Sequence, residues 1–223
     1  MATSRSQEAI CSLVEDRNLV LETKADSRPA CNGIVVTEDI LLVTNEYACN
    51  LQLYNLNDGK LMSSHRIKSH PIGVCLISKT EVAVCLYDGI EILSFKTIDD
   101  VKRVKTLDVS TGFYECDSVA KFNSDKLIVS GMKYYDRMLC WGVVSITDGR
   151  LNSTHNICER YGDTHLAIKD NTVYISCRTD DSTTDGVYAY DIFDPHTHTF
   201  LYQHEELTTP GSIIADRNSV FVC

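Results

Sequence analysis

The side chains most able to do chemistry lie in two short runs. His196-Thr197-His198, followed by His204, puts imidazoles at alternate positions. Alternate positions share one face of a strand, as a metal site would need. The flanking Asp194-Pro195 and Thr199 make the same run read as a hairpin turn before an outer strand, so exposed turn histidines are expected there, not ligands. Asp180-Asp181-Ser182-Thr183-Thr184-Asp185 could offer oxygens to calcium. It lacks the glycine and the spaced carboxylates of a calcium loop and reads as a solvated loop. The chain has no Gly-x-Ser-x-Gly elbow and no phosphate-cradling glycine loop. Its ten cysteines contain no Cys-x-x-Cys pair, and several, such as Cys75 and Cys85, sit inside apolar runs. They are expected to be reduced thiols packed as small hydrophobes, which fits a cytoplasmic compartment. These readings together predict a non-enzymatic protein with no catalytic residues, no metal and no cofactor.

The elements that would carry these residues are short strands. Between Gly33 and Ile67 the chain reads as a four-strand meander: Ile34–Val36, Ile40–Thr44, Leu51–Tyr54 and the polar Leu61–Ile67, with Asn57-Asp58-Gly59-Lys60 as a hairpin signal. The same order of buried, buried, alternating and polar strands returns from Pro71, from Cys116 and from Thr164, and half of it returns from Gly211. Equivalent strands recur roughly every 40–47 residues, the period of a propeller blade. Each sheet is apolar on both faces, and radial stacking against neighbours would cover both. The apolar positions follow period two or short runs, which excludes a helical solenoid. The fold class expected is therefore all-β, a β-propeller of four-stranded antiparallel blades, four complete and a fifth partial. Residues 1–30 form an N-terminal extension with one candidate closing strand, Leu19–Lys24, and residues 31–223 form the blades. An incomplete fifth blade leaves a free edge. It predicts either a truncated ring whose sequence continues beyond Cys223 or closure through Leu19–Lys24.

Cys49-Asn50-Leu51-Gln52-Leu53-Tyr54 followed by Asp58-Gly59-Lys60-Leu61 resembles the third-strand and turn motif of NHL-type propellers in tripartite-motif (TRIM) proteins, especially the invertebrate ones. The other copies keep the hydrophobic order but lose the Asn and the basic position before the third strand. The resemblance implies a propeller that recruits substrates for a ubiquitin ligase. Relatives of that type carry a RING, a B-box and a coiled coil. Before residue 31 this chain has one cysteine, Cys11, and no histidine, so it can build neither zinc site there.

A propeller places the loops that join outer to inner strands on the same face as the loops that join second to third strands. Here that face would carry Tyr47, His70, Tyr87, Tyr114, Tyr134, Tyr135, Arg137, Arg160, Tyr161 and Arg178. Tyrosine and arginine are enriched at binding hot spots. The expected function is protein binding through this face. RNA binding is the second reading. The net charge of -10, with Glu46, Asp88, Glu115, Asp136 and Asp180 among the same loops, disfavours it. A metal-dependent hydrolase is the third; it would need carboxylates around the axis, where Ile34-Val35-Val36, Gly73-Val74-Cys75, Ser118-Val119-Ala120 and Leu166-Ala167-Ile168 look apolar or small. The N-terminus lacks the apolar core of a signal peptide, and no run reaches the length of a membrane span, so no membrane partner is expected.

Overall fold

A computed structural model of the chain describes residues 31–37, 39–95, 101–133, 138–158, 162–179, 185–202, 212–215 and 219–222. Four meanders fold into four antiparallel four-stranded sheets. The first holds β1 (Cys31–Val36), β2 (Ile40–Asn45), β3 (Asn50–Asn55) and β4 (Leu61–Arg66). The second holds β5 (Pro71–Ser78), β6 (Glu81–Leu86), β7 (Gly89–Phe95) and β8 (Val101–Leu107). The third holds β9 (Glu115–Lys121), β10 (Lys126–Met132), β11 (Leu139–Ser145) and β12 (Leu151–Cys158). The fourth holds β13 (Gly162–Lys169), β14 (Thr172–Thr179), β15 (Gly186–Asp191) and β16 (His198–Tyr202). A fifth sheet has two strands, β17 (Ile213–Ala215) and β18 (Val220–Val222). The inner strands β1, β5, β9, β13 and β17 pack in that order, as in a propeller. The candidate strand Leu19–Lys24 lies outside the described residues.

Period two builds the blade interfaces. Val82 and Val84 of β6 face Leu42, Leu51 and Leu53 of the first blade. Their neighbours Ala83 and Cys85 face Phe113, Val119 and Leu127 of the third. In β10, Leu127 and Val129 return that contact, while Ile128 joins Trp141, Leu166, Val173 and Ile175 between the third and fourth blades. Each fully buried Leu or Ile removes enough apolar surface from water to contribute about 2–3 kcal/mol. The turns repeat as well. Gly59 and Gly149 take positive φ (72° and 73°), and each donates its N–H to the last residue of the preceding strand, Asn55 and Ser145. Asp58 and Asp148 accept from the N–H two residues on, the mechanism that selects Asp-Gly at such turns.

Candidate functional site

The first residue of each complete inner strand pairs with the end of its second strand: Pro71 with Leu86, Glu115 with Met132 and Gly162 with Thr179. One rim of the propeller therefore collects the inner-strand starts and the second-to-third-strand turns. Five of the loop residues expected from sequence are described there. Tyr47 is 70% exposed, Tyr114 51% and Tyr87 36%, and His70 and Arg178 are exposed. Tyr134, Tyr135, Arg137, Arg160 and Tyr161 lie outside the described residues.

His70 ties two of these turns together. Its Nδ1 donates to the Glu46 carbonyl at 3.3 Å, it lies 3.8 Å from Cys49 Sγ, and its ring meets Tyr87 edge-on with centroids 5.6 Å apart. Tyr87 and Arg178 line a cavity of about 360 Å³ with Glu46, Ile72, Glu115, Asp117, Asp163, Thr164 and His165. Tyr47, His70 and Tyr114 stand on the same rim outside the lining.

Asp117 reaches this cavity through a β-bulge. Ser118 pairs with Ser130 and Cys116 with Gly131, so Asp117 is the extra residue. Bulges bend a strand and re-aim a side chain. The bulge requires glycine opposite it: a Cβ on Gly131 would stand 2.0 Å from the Glu115 carbonyl oxygen. Asp117 is 8% exposed. Its Oδ2 accepts from Thr164 N at 3.1 Å and from Thr164 Oγ1 at 2.9 Å. Ser130 Oγ lies 2.9 Å from Thr164 Oγ1, and because each hydroxyl has one hydrogen, Ser130 donates to Thr164. Burial pushes the Asp117 carboxyl well above the usual range; the Thr164 hydrogen bonds oppose this and the charges of Glu115 and Asp163 add to it.

The rest of the lining is also acidic. Burial raises Glu115, the Tyr87 hydroxyl bond lowers it, and Asp163 and Glu46 raise it further. Asp163 pairs with Arg178 at 3.0 Å. Burial pulls His165 below the ordinary imidazole value; Asp163 acts against this and Arg178 with it. Ser118-Val119-Ala120 of β9 and Leu166-Ala167-Ile168 of β13 are apolar or small, as expected, but both strands are polar at their rim ends. Asp117, Asp163, Thr164 and His165 were absent from the sequence-derived set. Gly131, a lone glycine inside an apolar strand, is the signal that marks the bulge.

His196-Thr197-His198 is placed as the turn reading expects, and His204 lies outside the described residues. Thr197 N donates to Asp194 O, and His196 and His198 are exposed. His196 meets His155 edge-on and His198 stacks on Tyr190. Among the described residues no three His, Cys, Asp or Glu side chains converge as a metal site would require. Asp180 to Thr184 lie outside the described residues.

No family model and no curated protein matches the chain. Solved propeller structures do. Hydrazine synthase from Kuenenia stuttgartiensis superposes with a TM-score of 0.69 at 11% identity over 85% of this chain and 60% of that one. A chain of a nidogen/laminin complex gives 0.65 at 11% identity, over 87% and 72%. Regucalcin from Agrobacterium tumefaciens, a calcium-binding protein, gives 0.62 at 10% identity, over 86% and 66%. At such identities the likeness establishes the fold, and this chain spans about 60% of the length of the first of them.

Proposed function

We propose that the chain is a non-enzymatic docking module that binds a protein partner through the rim bearing Tyr47, His70, Tyr87, Tyr114 and Arg178. The carrying observation is that three exposed tyrosines share one rim of a rigid scaffold with an acidic cavity, which Tyr87 lines. Tyrosine offers large contact area at low entropy cost, and loops on packed blades hold it in place. The NHL-like motif at Cys49–Tyr54 supports a finer reading, a substrate-recruiting propeller of the tripartite-motif kind. Buried thiols fit a reducing, cytoplasmic setting: burial pushes Cys75 and Cys140 up to about 12, and both pack as apolar side chains.

The test is comparative proximity labelling with the full chain. Tyr47→Ala/Tyr87→Ala/Tyr114→Ala should lose the proteins labelled by the wild type, while Asn57→Ala/Ser124→Ala on the opposite face should keep them. Identical protein sets from both variants would overturn the reading. RNA binding is opposed by Glu46, Glu115, Asp117 and Asp163 at the axis, since carboxylates repel a phosphate backbone. A salt-sensitive gel shift would reverse that judgement. The same carboxylates give the metal-dependent hydrolase more support than the inner-strand sequence did, and metal analysis of the purified protein decides it.

A further inference from the structure

Among the described residues the lining of the cavity is predominantly acidic. Four carboxylates line it, from Glu46, Glu115, Asp117 and Asp163, against one guanidinium, Arg178. That guanidinium is already engaged by Asp163 at 3.0 Å. Asp117 is the critical group. It is more than nine-tenths buried and lines the cavity. Its Oδ2 takes both Thr164 donors, and among the described residues Oδ1 has no donor and no cation stands against either oxygen. A buried carboxylate without a counter-charge is costly unless it is protonated or met by a cation. Burial holds the Asp117 carboxyl well above its usual range, and the charges of Glu115 and Asp163 add to that push.

We propose, building on the docking reading above, that the axial cavity receives an arginine side chain from the bound partner. A guanidinium brings planar, forked donors that suit carboxylate oxygens and supplies the charge that Asp117 and Glu115 lack. Arg178 against Asp163 shows that this wall already accommodates that pairing. The volume of about 360 Å³ is large enough to admit one long side chain. Tyr87 presents an aromatic wall on which a guanidinium can lie. Tyr47 and Tyr114 stand exposed on the same rim, outside the lining.

The experiment titrates the full chain with a terminally blocked glycine peptide bearing one arginine, with its citrulline counterpart, with its lysine counterpart, and with calcium chloride. Binding is read by calorimetry and by chemical-shift changes. The arginine peptide should bind best. Citrulline, a neutral isostere, should bind about tenfold or more weaker, and Asp117→Asn and Glu115→Gln should weaken arginine binding by about tenfold each. Glu115 is only half-buried, so Glu115→Gln keeps the test valid if Asp117→Asn fails to fold. Equal binding of citrulline, unchanged binding in Glu115→Gln, or calcium binding with no arginine binding would overturn the proposal. If the tyrosine variants lose no partner while the arginine peptide still binds, the docking reading fails alone. If the arginine peptide fails while the tyrosine variants lose partners, the cavity inference fails alone.

Discussion

The interface between the second and third blades and the one between the third and fourth are built on the same position and filled with different chemistry. The fifth residue of β2, β6, β10 and β14 is Thr44, Cys85, Ser130 and Ser176. At three of these the side chain reaches the next blade's inner strand. Thr44 donates to the Ile72 carbonyl, Cys85 packs with Cys116 in one apolar cluster, and Ser130 meets Thr164. Between blades two and three the pair is thiol on thiol within an apolar cluster, where burial holds Cys85 well above its usual value and inert. Between blades three and four the same position starts a polar chain, Ser130–Thr164–Asp117, that ends in the cavity. One repeat grammar therefore yields a purely structural contact in one place and a charged site in the next. The bulge that exposes Asp117 as an unpaired residue, against the unbroken pairing of β13 with β14, accounts for the placement of the carboxylate.

Four substitutions probe this contrast, taken from the largest effect. Leu127→Ala, in the apolar interface, should cost about 3 kcal/mol in urea unfolding through the cavity it leaves. Thr164→Val should cost about 2 kcal/mol, because it strips one donor from Asp117 and the partner from Ser130. Cys116→Ala, at the thiol contact, should cost about 1 kcal/mol, the loss of one small buried group. If Cys116→Ala proves as damaging as Thr164→Val, the two interfaces are not the opposites described.

The fourth concerns pH. The folded Asp117 carboxyl holds its proton above the ordinary value of 3.8, while the unfolded chain releases it near that value. The unfolded state thus binds fewer protons in this window, and the Asp117 contribution to stability is full at lower pH and is lost as pH rises. Asp117→Asn removes this loss. Its stability relative to wild type should improve as pH rises above the ordinary carboxyl value of 3.8 in denaturant melts. A constant difference would mean that Asp117 is ionised in the fold.

Much of the fold was legible because it rests on alternation and turn chemistry. Ile40–Asn45 and Asn50–Asn55 are the strands that the apolar runs Ile40–Thr44 and Leu51–Tyr54 mark, and Asp58-Gly59 turns where the dipeptide predicts. The rim position of Tyr47, His70, Tyr87, Tyr114 and Arg178 followed from the order of strands alone. The deepest part of the site did not. A bulge is a property of pairing, and neither Asp117 nor Ser130-Gly131 announces it in isolation. Judging the inner strand β9 by Ser118-Val119-Ala120 leaves Asp117 out of sight, and starting β13 at Thr164 leaves out Asp163.

The most direct test of the docking account is selection of peptides from a random displayed library on the immobilised full chain, followed by competition against the rim variants. The account predicts that enriched peptides bind wild type and lose binding to Tyr87→Ala and Glu115→Gln, while retaining it with Asn57→Ala on the opposite face. Peptides that bind all four proteins equally, or that depend on Asn57 and not on Tyr87, would contradict it.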